Sequence, residues 1–427
     1  MERRSFVKSA SMGLMAVSMP WYLPHLGSER KLRLGLIGSG WYGLVIVKAA
    51  LKVGGAEIAA ICDVDNEHLT NGAAEIQQLQ GKAPRTYRDY RELLEQNDMD
   101  AIIIATPPQW HALQFIAACE KGFDIYCEKP LAYDINEGKA MVAAAKKAGN
   151  VVQIGFQRRQ SQSYGKVKSM IENGDLGTVH QVNAQIHYNP GIRDLTPQAP
   201  PASLNWEQWC GPAPMLPYTP NIGHMAWRLE KAYGNGHLVD WGIHHIDAIR
   251  MILGEGIPQK YTTQGGINVL QGKITTPDTL HATMEFGKTT LTWQHRLWGK
   301  GEINSEHNNG IFFHGEKATL FASDSKIIVH PAERGASARE FIFETPDMQE
   351  RHVENFLVAV RQKDKNLLSS TPEDAFLSTT AVQLATIAYD TQSEVFWDTA
   401  KQTISGNRKA AKLMTRAYRK GYSRPRI

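Results

Sequence analysis

The 427-residue sequence holds only four cysteines, Cys62, Cys119, Cys127 and Cys210, and no two form a C-x-x-C pair. That spacing argues against a disulfide-framed fold and a cysteine zinc site, so all four are expected as buried thiols. No apolar run approaches the roughly 18 residues that a membrane span needs, and no stable membrane association is expected. Charge of either sign is nearly balanced, 47 Lys and Arg against 43 Asp and Glu. Much of the small excess lies in residues 401–427, which carry nine Lys or Arg and no acid. No aromatic-basic module accompanies this stretch, so it is expected as a solvated or subunit-wrapping arm, not a nucleic-acid site. Internal repeats and low-complexity segments are also missing. What remains is an ordinary globular composition, long enough for two or three domains of about 150 residues each.

The first 30 residues stand apart. Glu2-Arg3-Arg4-Ser5-Phe6-Val7-Lys8 precedes the moderately apolar stretch Ala10 to Met19, a charged start followed by a short apolar run. This resembles a twin-arginine export signal, with Val7 where Leu is usual, and residues 1–30 are set aside as signal and linker. A periplasmic location is expected on that reading, and a cytoplasmic one without it.

The chain is organised around Lys31 to Asp63. Leu32, Leu34, Leu36 and Ile37 form an apolar run that breaks at Gly38-Ser39-Gly40-Trp41-Tyr42-Gly43, and helical periodicity follows from Leu44 to Val53. A second apolar run, Ile58 to Ile61, ends at Asp63, 20 positions past the third glycine. Strand, glycine turn, helix, strand and terminal acid in this order predict a dinucleotide site. Gly38 permits the turn, Gly40 lets backbone approach a pyrophosphate, and Gly43 lets helix lie on strand. Asp63 would accept hydrogen bonds from ribose hydroxyls, and with Asp65 nearby this edge repels a 2′-phosphate, favouring NAD over NADP.

The alternation of strand and helix continues to Gly155. Helices are predicted near 65–80, 87–96, 110–121 and 134–148, and strands at 101–105, 124–127 and 151–155. The rhythm predicts a doubly wound parallel sheet over residues 31–155, with ligand off the carboxyl ends of its strands. From Phe156 the character changes. A helix near 163–173 and a long strand near 178–188 lead into a proline-rich stretch at 189–218. Helical pattern returns at 238–253. Strand-like runs follow at 258–268, 279–286, 289–298, 311–315 and 317–330, and a helix is signalled from Thr371 to Tyr389. These predict a second, α+β domain over 156–400 with one large, mostly antiparallel sheet.

Chemistry is expected at the carboxyl edge of the first sheet. Thr106-Pro107-Pro108 and Glu128-Lys129-Pro130 both end strands there, and His111 opens the helix after the first of them. Asp240 and His244, four apart on the predicted helix, would share one face. Lys129 as an ammonium could steady a developing alkoxide, and neutral His244 could take the hydroxyl proton. Asp240 would orient His244 or bind a neighbouring hydroxyl. His237 and His245 are expected to cap or pack. No third ligand at useful spacing joins these histidines, so no metal is expected.

Gly38-x-Gly40-x-x-Gly43, Glu128-Lys129-Pro130 and Asp240-x-Gly242-x-His244-x-x-Asp247 resemble the glucose-fructose oxidoreductase and inositol dehydrogenase family, Gfo/Idh/MocA, over roughly residues 31–400. The resemblance implies a Rossmann domain followed by an open-sheet domain that also mediates homodimers or homotetramers, acting on sugars, polyols and their derivatives. It maps the catalytic lysine, aspartate and histidine to Lys129, Asp240 and His244. Cofactor contacts are then expected at Gly38, Gly40, Trp41, Tyr42, Gly43, Asp63, Thr106, Pro107, His111, Glu128 and Lys129. Gln157, Arg158, Tyr188, Trp227 and Arg228 are candidate substrate contacts, with an interdomain ion pair as the alternative for the Gln157-Arg158-Arg159 run. Because a periplasm is not expected to supply free NAD, an exported enzyme would carry it tightly bound and run a redox-neutral cycle. The alternatives are an NAD-dependent glycosidase working by transient oxidation and elimination, and a non-catalytic sugar-binding module.

Overall fold

The computed structural model describes residues 30–302, 305–344 and 347–426; the expected export signal lies outside them. The first sheet is parallel, built from β1 (Leu32–Ile37), β2 (Ala56–Cys62), β3 (Arg85–Tyr87), β4 (Ala101–Ile104), β5 (Asp124–Cys127) and β6 (Val152–Ile154) in the order β3-β2-β1-β4-β5-β6. β1, β4 and β5 are almost wholly buried apolar runs, as a sheet covered on both faces requires. The intervening helices are α1 (Trp41–Val53), α2 (Asn66–Gln80), α3 (Tyr90–Leu94), α4 (His111–Glu120) and α5 (Ile135–Ala148). Asp65, Asp89 and Asp134 cap α2, α3 and α5, each accepting from a backbone N–H of the first turn. The sequence reading runs one helix over 87–96. Here Arg85–Tyr87 is an edge strand instead, too short to show an alternation, and the helix is one turn.

Glycine is required at two points of the first turn. Gly38 has φ +94°, and a Cβ at Gly43 would overlap the carbonyl oxygen of Gly38. Both clashing groups are backbone, so neither can yield cheaply. Gly43→Ala is therefore expected to cost at least about 1–3 kcal/mol, read as a fall in the urea midpoint; an unchanged midpoint would contradict this packing.

The second domain carries a mixed sheet of ten strands. They are β7 (Val179–Ile186), β8 (Lys260–Gly266), β9 (Thr279–Glu285), β10 (Thr290–Arg296), β11 (Asn309–Gly315), β12 (Ala318–Ala322), β13 (Lys326–Pro331), β14 (Arg339–Ile342), β15 (Val395–Asp398) and β16 (Thr403–Ser405). The order is β14-β13-β12-β11-β7-β10-β9-β8-β15-β16, antiparallel except where β7 meets β10. The run expected as one strand over 317–330 is the hairpin β12–β13, turned at residues 323–325. Helices α6 (Gln162–Glu172), α7 (Trp206–Cys210), α8 (Ile243–Leu253), α9 (Met348–Gln362), α10 (Pro372–Thr391) and α11 (Arg408–Lys412) complete the chain. No described helix is long and apolar enough to cross a membrane, and all four cysteines are free and buried.

The first sheet draws part of its cover from a helix far along the chain, and the expectation of a C-terminal arm is corrected. Val353, Phe356, Leu357 and Val360 of α9 pack in one cluster with Leu34, Ile58 and Tyr126, while Gln153 and Ile154 of β6 bond His352. The apolar period of α9 shows that one face is buried, but not which sheet receives it. Residues 401–427, moreover, are not a free arm. β16 pairs with β15, Arg416 bonds the buried Glu137, and Arg424 bonds Asp134. The N-terminus of α5 thus supplies acids for two of the tail's cations, Arg416 and Arg424.

Candidate active site and nucleotide cavity

A cavity of about 510 Å³ lies between the carboxyl edge of the parallel sheet and the segment 189–233. Gly38, Gly40, Trp41, Tyr42, Asp63, Thr106 and Pro107 line one wall. Asp63 is pinned at the end of β2: Ser39 N donates to one oxygen at 2.8 Å and Asp65 N to the other at 2.9 Å. Burial raises its pKa, opposed by those two N–H groups and nearby histidines. The Gly38–Gly43 cradle, the open N-terminus of α1 with Gly40 as its cap, and this carboxylate together fit a dinucleotide.

Other predicted cofactor residues do not reach this cavity. Gly43 packs helix against turn. His111 is fully buried, with Nδ1 2.8 Å from the Pro130 carbonyl and Nε2 2.8 Å from that of Thr106. It braces the two strand-end loops against each other, and burial, outweighing the carbonyls, pulls its pKa down. Glu128 is buried behind the loop, where burial, partly offset by Lys129, raises its pKa to about 7; a Cβ at Gly155 would strike its carboxylate.

The opposite wall comes from 189–233, through residues such as Arg193, Glu207, Trp209, Tyr218, Trp227 and Arg228. The segment is tied across the cavity mouth by Asn66 N to Ser203 O (2.9 Å), Asn205 N to Val64 O (3.0 Å) and Trp110 Nε1 to Gln208 O (3.0 Å). Composition marks the stretch as a loop; where it lands is set by contacts too distant in sequence to be read. Most of this wall therefore went unread.

Arg228 links the cavity to the residues expected to be catalytic. Its guanidinium stacks on Trp227 at 4.4 Å, and its Nε lies 3.3 Å from Asp240 Oδ2. Lys129 Nζ donates to Asp240 Oδ1 at 3.0 Å and to the Asp240 carbonyl at 2.7 Å. Burial alone would raise the Asp240 pKa; Lys129 and Arg228 outweigh it and hold the carboxyl below its usual range. Asp240 thus fixes Lys129, and no hydrogen bond joins it to His244.

The predicted common helical face is also modified. Leu238–Gly242 is a π-turn, and regular helix resumes at Ile243. Such turns cluster at functional sites. Here Gly242 lets the turn lie against Trp293, which a Cβ would crowd. His244 is 6% exposed and its Nδ1 is buried without a partner. Burial first, then Lys129 and Arg158, drive its pKa well down, so the ring is neutral at pH 7.

The remaining candidates divide. Tyr188 lies partly exposed over His237, with ring centroids 4.8 Å apart. Gln157 bonds the Tyr42 hydroxyl. Arg158 pairs with Asp324 at 3.0 Å and lies over Trp241. Arg159 grips Asp247 with two bonds of 2.7 and 2.6 Å, anchoring α8. Both arginines are thus engaged in ion pairs, but within the second domain and not between domains as the alternative had it. His237 and His245 are buried and pack by their rings, His237 against Tyr188 and both against Trp293.

Seven buried histidines (111, 187, 237, 244, 245, 295 and 352) have lowered pKa values, burial being the main cause of each. Below the unfolded value near 6.5 the unfolded chain binds protons that the folded one refuses, so stability falls with pH. Asp63, Glu128 and Glu137, raised by burial, act in the opposite sense but are fewer. Chemical denaturation is expected to give a stability lower by at least about 1 kcal/mol at pH 5 than at pH 7; equal or higher stability at pH 5 would contradict it.

Residues 32–156 match the family model described as "Oxidoreductase family, NAD-binding Rossmann fold", and residues 165–424 match "Oxidoreductase family, C-terminal alpha/beta domain". The uncharacterized oxidoreductase YrbE of Bacillus subtilis is 28% identical over 54% of this chain and 57% of its own length, so the chain spans little more than half of that relative. A myo-inositol 2-dehydrogenase of Thermotoga maritima is 24% identical over 80% of this chain and 90% of its own. Among solved structures, a levoglucosan dehydrogenase in complex with NADH and levoglucosan superposes with a TM-score of 0.69 at 19% identity, over 86% of this chain and 99% of that one. At such identity the likeness is one of fold.

Proposed function

The chain belongs to the Gfo/Idh/MocA oxidoreductase family, and we propose that it moves hydride between one CH–OH carbon of a sugar or polyol and an NAD held beneath residues 189–233. The observation that carries this reading is Lys129 clamped on Asp240 beside a neutral, buried His244, with Arg228 joining them to the nucleotide cavity. When bound, NAD supplies the hydride acceptor, and in a redox-neutral cycle also the donor.

The chain's own residues handle the proton and the oxygen. An ammonium has three N–H donors. Lys129 directs two at Asp240, which leaves one for the substrate oxygen, whose developing charge it would stabilise. His244 accepts the hydroxyl proton and returns it when a carbonyl is reduced. Asp240, kept ionised, holds Lys129 in place. Trp241, 39% exposed, and Trp227 offer faces for a sugar ring. The substrates named for the relatives, inositol and levoglucosan, are polyhydroxylated rings, which supports this class.

The cycle is proposed to be redox-neutral because 189–233 is tied to the nucleotide domain at Ser203, Asn205 and Gln208, an arrangement suited to a retained cofactor. The Arg3-Arg4 start adds the proposal of twin-arginine export with NAD already bound. A homodimer or homotetramer through the ten-stranded sheet is proposed as the working state. Mass spectrometry of the denatured, as-purified protein is expected to find about one NAD per chain. A sugar and polyol panel read by nicotinamide absorbance should then reduce it without added nucleotide. Protein that purifies empty and needs free NAD for every turnover would overturn the retained-cofactor reading.

A further inference from the structure

We propose that Asp65, His68 and His224 form a binding site for one divalent metal ion of the zinc class, with its open coordination position facing the nucleotide cavity. One ligand atom from each of the three lies within 4.8 Å of the others, the one such trio among the described residues. Asp65 Oδ2 is 2.8 Å from His224 Nε2, and the rings of His68 and His224 lie 4.2 Å apart, tilted by 39°.

Each ligand is positioned by its surroundings. Asp65 caps α2: its Oδ1 accepts from Glu67 N at 2.9 Å, so that Oδ2 is the oxygen turned to His224, while its own N–H is held by Asp63. Such outer bonds are what orient a ligating carboxylate. His68 sits in the first turn of α2, its Nδ1 3.6 Å from where a Cβ of Gly40 would lie, beside the turn that cradles phosphate. His224 approaches from the other wall with φ +60°, an uncommon backbone state that persists where neighbours enforce it.

The donor set selects the ion. Two imidazoles and one carboxylate are the ligands of open zinc sites, which keep a fourth position for water or substrate. Hard cations such as magnesium and calcium prefer all-oxygen shells. A hydrogen bond between Asp65 and His224 accounts for two of the three residues; it gives no role to His68, tilted against the second ring and lining the same cavity. Because Asp65 and His68 belong to the nucleotide domain and His224 to 189–233, a bound ion would also staple the two walls together. Spacing in sequence conceals the site, since 159 positions separate Asp65 from His224.

The test is a Co²⁺ titration of the untagged full chain after chelator treatment and dialysis. Saturation at about one equivalent is expected, with the visible bands of a four-coordinate ion, and stoichiometric Zn²⁺ should displace it. Loss of an outer-shell partner alone costs about 10–100-fold in affinity, so His68→Ala and His224→Ala are each expected to weaken Co²⁺ at least about 100-fold. Asp65→Asn, which keeps the cap but removes the charge, should also weaken it. His68 lies on the surface of α2, so His68→Ala remains informative if His224→Ala fails to fold. No saturable binding near one equivalent, or binding unchanged in His68→Ala, would overturn the proposal. The readout involves no turnover, so it fails or succeeds apart from the redox reading.

Discussion

Lys129→Met is expected to lower kcat/KM by about 10²–10³, the usual cost of removing one preorganised donor from a developing oxyanion. The length of the side chain is kept and only the charged head is lost. Asp240 then retains Arg228 alone as a neighbour of opposite charge, so the variant also removes the group that Asp240 holds in place. Lys129 does not line the nucleotide cavity, and NAD content should stay near that of the wild type. This separates a chemical role from a binding one. Lys129→Arg should not restore the rate, because a planar guanidinium cannot reproduce the compact, rotatable ammonium. A Lys129→Met protein that turns over at the wild-type rate would remove the residue from the mechanism.

His244→Gln is expected to cost about 10²–10⁴ in kcat, the range for a positioned general base. The pH profile separates catalysis from packing. A base must be neutral to accept a proton, and burial, Lys129 and Arg158 all push His244 toward the neutral form. Wild-type kcat should therefore stay flat through neutral pH and fall only well below the ordinary histidine value of about 6.5. In His244→Gln the residual rate should lose that acidic limb. A variant that keeps the limb would assign it to another group.

The nucleotide half was legible because its signals are local. A glycine turn needs particular residues within six positions, and Asp63 ends a strand whose apolar run is continuous. The edge strand Arg85–Tyr87 is too short to show a period. For α9 the positions Val353, Phe356, Leu357 and Val360 show a helical face, but not that it covers the first sheet instead of the second. The site behaves likewise. Lys129 and Asp240 are 111 residues apart, and only the motifs of a known family bring them together on paper. Even then their relation differs from the one expected. Asp240 serves Lys129 and Arg228, not His244, because the π-turn changes the register between two residues that an ideal helix would place on one face. The cavity wall at 189–233 was least legible, since proline and aromatic content mark a loop without giving its destination.

The central claim is that Lys129 and His244 act on the same hydroxyl. A crystal structure of the NAD-loaded protein with a polyol found active in the panel measures this directly. The account predicts one substrate oxygen within hydrogen-bond reach, about 2.6–3.2 Å, of both Lys129 Nζ and a His244 ring nitrogen. A substrate seated with its reacting oxygen near neither group, or near only one, would contradict it.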